Sequence, residues 1–287
     1  MSDTSELSRV PGFGGIGLAV QAWGRDSDPP VVFLHGGGQT RFAWKGAAEG
    51  FAARGWYAVS ADLRGHGDSD WAPDGDYTLE AFAGDVAAVA GAMSAPPAIV
   101  GASMGGLAAL LAQGELDPPP GSALVLVDIA TRMDPSAVAR IVGFMTGHPD
   151  GFASLEEAAE TVAAYQPHRP RPASTAGLRK NLRQGEDGRW HWHWDPAFMT
   201  SERRPAASND PQRLNRAASR VDVPTLLVRG MLSDMVSDEA VGEFLGHVPH
   251  AETVDVEDAS HMVAGDRNDR FTDAVLAFLS RARNGGS

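Results

Sequence analysis

Three residue types in this chain could together carry out acyl transfer. Ser103 sits in Gly101-Ala102-Ser103-Met104-Gly105-Gly106, His261 sits in Ser260-His261-Met262, and acidic side chains follow apolar runs at Asp128 and Asp234. A serine hydroxyl is a weak nucleophile at neutral pH, so a base must take its proton as it attacks a carbonyl. An imidazole titrates in the range that lets it accept that proton and pass it to a leaving group. A carboxylate must then fix the ring tautomer and stabilise the cation that forms. The 287 residues include no cysteine, which excludes thiol catalysis, disulfides and cysteine-ligated zinc.

The surroundings of Ser103 suit an exposed nucleophile. Ala98-Ile99-Val100 is an apolar run ready to be a buried strand, and Leu107-Ala108-Ala109-Leu110-Leu111 are good helix formers. A serine on a tight strand-to-helix turn needs small neighbours two residues to either side. Its hydroxyl then stands at a helix N-terminus, where the dipole favours developing negative charge. A glycine-rich turn with a chance serine would read the same, so the decision rests with the rest of the chain. His35-Gly36-Gly37-Gly38 follows the apolar run Val31-Val32-Phe33-Leu34. Such a loop either brings backbone N–H groups close to an oxyanion or is a flexible strand–helix turn.

The elements that must position these groups alternate. Residues 16–23 read as an early strand at a sheet edge. Residues 31–34, 56–61, 98–100 and 124–127 read as strands, with helices over 42–54, 78–93 and the stretch after Ser103. Strands apolar on both faces, alternating with helices, imply a mostly parallel central sheet with helices on both faces. Ligands bind such sheets beyond the strand carboxyl ends, where the His35 loop, Ser103 and Asp128 all fall. The polar loop 62–69 (DLRGHGDS) reads as bonded to itself near the site rather than as a substrate binder.

The pattern breaks after Asp128. Residues 131–216 read as a mostly helical cap inserted into a core of residues 1–130 and 217–287. Helices open at Asp134-Pro135, at the capping box Ser154-Leu155-Glu156-Glu157, around Leu178 and Leu182, and at Asp210-Pro211. Within the cap, Trp190-His191-Trp192-His193-Trp194 alternates as an extended segment should. His-x-His could suit a metal, but no third ligand is evident and none is expected. The candidate substrate-pocket residues are His35, Phe144, Met145, Trp190, Trp192, Trp194 and Met262. They suggest a hydrophobic substrate part. The core resumes with a strand at 224–230, a helix at 239–246, a strand at 252–256 and a closing helix.

A net charge of -13 argues against nucleic acid or an anionic membrane as the main partner. No signal peptide or bilayer-spanning apolar run is visible, so a soluble, cytoplasmic protein with a small-molecule substrate is expected.

Taken in order, HGGG (35–38), DLRGHGDS (62–69), GASMGG (101–106), RGMLSD (229–234) and SHM (260–262) resemble a capped member of the α/β-hydrolase fold superfamily over nearly the whole chain. The resemblance implies a serine–acid–histidine triad in that chain order. Of the two acids, Asp234 is expected over Asp128, because it follows the insertion and lies nearer the histidine-bearing strand. Asp238 and Asp266 read as a helix cap and a loop anchor. By analogy the oxyanion hole would be the backbone amides of Gly37 and Met104. The implied activity is cofactor-free cleavage of a carboxylic ester through an acyl-enzyme. A lactonase, a carbon–carbon bond hydrolase, a perhydrolase-like enzyme or a ligand receptor on the same scaffold are the alternatives. Dehalogenases and epoxide hydrolases carry aspartate at the position of Ser103, which argues against both.

Overall fold

A computed structural model describes residues 6–166, 175–205, 210–257, 259, 261 and 268–284. Eight strands form one sheet: β1 (Glu6–Pro11), β2 (Gly17–Trp23), β3 (Pro30–Leu34), β4 (Tyr57–Ala61), β5 (Ala98–Ala102), β6 (Ala123–Val127), β9 (Thr225–Gly230) and β10 (Glu252–Val256). Their spatial order is β1-β2-β4-β3-β5-β6-β9-β10. From β4 onward neighbours run parallel, while β1 and β2 pair antiparallel and β2 meets β4 antiparallel. The expected edge strand at 16–23 is therefore interior. The polar strand β1 covers it and carries no apolar run that would announce it.

Alternation along the strands splits the core into two layers. Val32 and Leu34 of β3 and Leu124 and Leu126 of β6 face one side. There they meet helices α2 (Leu79–Gly91), α3 (Met104–Glu115), α7 (Pro211–Ala218) and α8 (Asp238–His247). Val31, Phe33, Val125 and Val127 face the other side, with Trp44, Phe51 of α1 (Lys45–Ala52) and Phe271 of α9 (Asn268–Asn284). Strands buried on both faces need apolar side chains at every position, which explains their unbroken runs.

Between β6 and β9 the chain forms α4 (Pro135–Thr146), α5 (Leu155–Tyr165), a 3-10 turn (Thr175–Lys180), the hairpin β7 (Leu182–Gln184)–β8 (Trp190–Trp192), and α6 (Ala197–Thr200). The helix expected around Leu178 and Leu182 is instead the 3-10 turn and a strand. An apolar pair four residues apart suits both, and Leu182 pairs with Trp192 across the hairpin. The expected boundary at residue 216 cuts through α7, which packs on α3 as part of the core. Asp134, Ser154 and Asp210 cap their helices as expected. For α8 the cap is Ser237, which accepts from the Ala240 amide, and Asp238 is the first helical residue, paired with Arg229. The proline-broken connection at 167–172 lies outside the described residues. Among the described residues no helix is long and apolar enough to cross a membrane.

Candidate active site

Ser103 ends β5 and begins α3 with φ 47° and ψ -117°, a conformation that costs a non-glycine residue of order 1–3 kcal/mol. The flanking glycines make that turn possible. A Cβ on Gly101 would lie 2.5 Å from the Gly105 carbonyl oxygen, and one on Gly105 would lie 2.6 Å from the Leu34 carbonyl oxygen. Backbone approaches backbone at both positions, so no side-chain movement could relieve the clash. The strained serine thus stands over the middle of the sheet, next to the loop that leaves β3.

His261 lies beyond β10. Its Nδ1 is 2.7 Å from Oδ2 of Asp128, which ends β6 and is fully buried. Asp128 itself has φ 51°, the one other non-glycine residue with positive φ among those described. That turn points its carboxylate across the sheet toward β9. There Oδ2 also accepts from the Ser233 hydroxyl, and the Gly230 amide donates to Oδ1 over 3.3 Å. A carboxylate so held cannot turn away from the imidazole.

The expectation that Asp234 orients His261 is corrected by this geometry. Asp234 lies on the surface with its side chain 66% exposed and pairs with Arg140 of α4. The acid nearer in sequence to the histidine is thus engaged elsewhere, and the acid one strand earlier reaches it across β9.

The loop leaving β3 approaches Ser103 from the other side. A Cβ on Gly36 would sit 3.2 Å from the Ser103 Cβ. The amides of Gly37 and Met104 have no acceptor among the described residues, whereas Gly38 N–H donates to His66 and Gly105 N–H to the His35 carbonyl. His35 does not line a pocket as expected. It is completely buried, and both ring nitrogens are engaged by backbone. Nε2 accepts from the Leu63 amide at 3.0 Å and Nδ1–H donates to the Gly36 carbonyl at 2.8 Å. Burial pushes its pKa down to about 4, so the ring is neutral.

The loop 62–69 is bonded to itself, as its composition suggests. The buried Asp62 carboxylate accepts from the Arg41 guanidinium and from the Arg41 and Asp68 amides, and Ser69 donates to the Asp62 carbonyl. His66 and His193 complete a buried row with His35, their ring centroids 5.3 and 5.8 Å apart in turn. Desolvation lowers His66 to about 3 and His193 to about 2. His193, whose Nδ1 accepts from the Gly67 amide at 2.7 Å, ties the insertion to this loop. His191 points elsewhere, to Asp187, so the two imidazoles serve different partners.

Cap aromatics cover the His35 loop. Met145 Cε and Trp194 Cζ3 each come within 3.2 Å of where a Gly38 Cβ would lie. Trp194 stacks on Trp192 at 4.9 Å, and Phe144 reaches Trp192 at 5.6 Å while stacking on Tyr165 at 4.1 Å. Phe198, not singled out from sequence, lies 3.4 Å from a Gly37 Cβ position. Trp190 packs behind this wall, beneath Arg179, in a cluster with Phe152 and Leu182 that meets the wall through Trp192. Met262 and Asp266 lie outside the described residues.

Residues 31–274, which span the strained serine at the β5–α3 turn and the histidine beyond the last strand, match the alpha/beta hydrolase family. The chain belongs to that family. It is 33% identical to the esterase Rv0045c of Mycobacterium tuberculosis over 91% of this chain and 86% of that protein. It is 29% identical to the 3-hydroxybutyrate-oligomer hydrolase of Cupriavidus necator, covering 85% and 86%. A solved structure of the mycobacterial esterase superposes with a TM-score of 0.76 at 28% identity, over 98% of this chain and 93% of that one. An E-2-(acetamidomethylene)succinate hydrolase shares the fold, with a TM-score of 0.80 at 22% identity over 96% and 100%. The family model makes the chain an α/β-hydrolase, and the mycobacterial esterase and the 3-hydroxybutyrate-oligomer hydrolase are ester-cleaving members by name.

Sequence reasoning passed over Ser233 and His66, and weighed His193 only as half of a metal-binding His-x-His pair. Each sat in a segment already read as loop or cap, and its role depends on contacts between strands or loops far apart in the chain. The Gly-His-Gly inside 65–67 was the one local signal that a side chain there meets close backbone.

Proposed function

We propose that the chain is a serine hydrolase that cleaves carboxylic esters of small, largely apolar substrates through an acyl-enzyme. The observation that carries this reading is the 2.7 Å contact between His261 Nδ1 and the buried Asp128 carboxylate, in the same sheet end as the strained Ser103. With Nδ1 committed to Asp128, Nε2 is the nitrogen left to act as base. Ser103 Oγ attacks the carbonyl carbon and its proton passes to Nε2. The carbonyl oxygen becomes an oxyanion held by the Gly37 and Met104 amides, the latter at the N-terminus of α3. The imidazolium, stabilised by Asp128, protonates the departing alkoxide and the alcohol leaves. A water then gives a proton to Nε2 and attacks the acyl carbon. The second tetrahedral intermediate collapses, the acid departs and Ser103 regains its proton.

The segment between β6 and α7 serves as the cap. Met145, Trp194 and Phe198, with Trp192 and Phe144 behind them, form an apolar wall against the loop that bears Gly37. That supports an apolar acyl or alcohol part over a charged one. The test is steady-state hydrolysis of p-nitrophenyl esters of graded acyl length by wild type and Ser103→Ala. Wild type should turn over repeatedly and prefer apolar acyl chains, and Ser103→Ala should lose several orders of magnitude. Full turnover by pure Ser103→Ala protein would remove the serine mechanism, and a preference for short polar esters would remove the apolar pocket.

A further inference from the structure

The oxyanion donor Gly37 has no side chain to hold it, and its neighbours on both sides are glycines. A peptide between two glycines turns over easily, because both residues tolerate either sign of φ. In a trans peptide the C=O and N–H point in opposite directions. A flipped Gly36–Gly37 peptide would therefore aim a carbonyl where the oxyanion needs a donor.

Two buried imidazoles oppose that flip. The Gly36 carbonyl, on the same peptide plane as the Gly37 N–H, accepts from His35 Nδ1–H at 2.8 Å and from the Gln39 amide at 3.1 Å. The Gly38 N–H, on the next plane, donates to His66 Nε2 at 3.1 Å. These two planes meet at the Gly37 Cα, so pinning both fixes its φ and its ψ. Each ring is set in its tautomer from its far side. Leu63 N–H donates to His35 Nε2 at 3.0 Å, and His66 Nδ1–H donates to the Arg64 carbonyl at 2.9 Å. The lacing is reciprocal: the His35 loop sends a ring to the 62–69 loop, and the 62–69 loop returns one.

We infer that His35 and His66 are positioning residues that lock the Gly37 amide toward the oxyanion, one through the peptide before it and one through the peptide after it. The inference rests on the serine-hydrolase reading above. The two rings use different atoms, which gives a crossed test. An asparagine amide places a donor near an Nδ1 position, and a glutamine amide places an acceptor near an Nε2 position. At residue 35 the asparagine variant should outperform the glutamine variant. At residue 66 the order should reverse.

Losing one oxyanion donor outright costs about 100- to 1000-fold in kcat. The Gln39 amide still holds the Gly36 carbonyl, so His35→Gln and His66→Asn should each lose about 10- to 100-fold in kcat, with KM within about threefold. His35→Asn and His66→Gln should recover most of that loss. Activity is normalised to sites titrated with a fluorophosphonate, and Tm is recorded for all four variants. The same order at both positions, or losses that track Tm alone, would overturn the inference. In the wild type, imidazole ¹⁵N NMR at neutral pH should show both rings neutral with the proton on Nδ1. The opposite tautomer at either residue overturns the inference even if no variant folds. Ser103→Ala is assayed alongside. If it retains turnover, the serine reading falls and this inference with it. If it is inactive but the crossed order is missing, this inference alone falls.

Discussion

Asp128→Asn is the most informative single change, with Asp234→Asn as its counterpart. Both Asp128 oxygens accept: Oδ1 from the Gly230 amide, Oδ2 from Ser233 and His261. An amide offers one acceptor and one donor. If its nitrogen faces His261, the imidazole must present the wrong nitrogen as acceptor, a defect that costs a serine triad about 10⁴ in kcat. If its oxygen faces His261, the tautomer survives, but the amide nitrogen meets the Gly230 N–H and the anion opposite the imidazolium is gone. With charge centres about 4 Å apart and an effective dielectric of about 20, that anion contributes about 4 kcal/mol, or about 10³ in rate. Asp128→Asn should therefore lose about 10³- to 10⁴-fold in kcat on a p-nitrophenyl ester, with little change in KM. Asp234 has an exposed side chain and pairs only with Arg140 among the described residues, so Asp234→Asn should stay within about twofold. A hundredfold loss in Asp234→Asn, beside an Asp128→Asn variant within tenfold of wild type, would refute the assignment.

Other consequences can be measured on stability. Arg64 is buried and donates through Nε and Nη2 to both Asp85 oxygens at 2.6 and 2.8 Å, so Arg64→Met should cost about 3–5 kcal/mol in urea unfolding by stranding that carboxylate. Gly105→Ala forces a Cβ to 2.6 Å from the Leu34 carbonyl oxygen and should cost at least about 2 kcal/mol, read as a lowered Tm. His35, His66 and His193 have folded pKa values of about 4, 3 and 2, below the unfolded histidine value of about 6.5. The unfolded chain thus binds more protons below pH 6.5, and stability falls as pH drops through that window. Each ring contributes up to about 1.4 kcal/mol per pH unit. Urea unfolding at pH 5 to 6 should show this slope, and His193→Asn should flatten it by one ring's share. An unchanged slope in that variant would mean His193 is not buried neutral.

Much of the fold and part of the site could be read from residue types alone. Unbroken apolar runs marked β3, β5, β6 and β9 because strands covered on both faces have no polar position to spare. The glycines around Ser103 were legible because backbone-to-backbone contact admits no other residue. The acid partner of His261 was not legible. Two aspartates follow neighbouring strands, and the difference between them is a positive φ and a pair of donors from the β9 loop, neither of which composition reports. His35 was misjudged for a related reason. A histidine beside a run of glycines reads as a ligand contact, and only the Leu63 amide, far along the chain, reveals that both nitrogens are occupied. In the cap, short elements and proline breaks weaken periodicity, so the 3-10 turn and β7 passed for a helix, while the strict alternation of residues 190–194 marked β8 as extended.

The contacts of residues 182–195 have a practical consequence. His193, Arg183 and Asp195 all bind backbone in the 65–67 segment, and Asp195 also receives the Tyr77 hydroxyl at 2.5 Å. None of these partners belongs to Ser103, Asp128 or His261. The segment is in effect a module plugged into a socket that holds neither Ser103, Asp128 nor His261 and that, among the described residues, touches the site only through His66 and the Gly37–Gly38 loop. A chimera that imports a foreign insertion should keep its machinery intact if the graft carries equivalents of His193 and Asp195, with seams placed before Asp134 and at Asp210. A graft lacking them would leave the Gly67 amide without its acceptor and the Tyr77 hydroxyl with the Ala72 amide but nothing to donate to, and the new lid would be held at its two ends only.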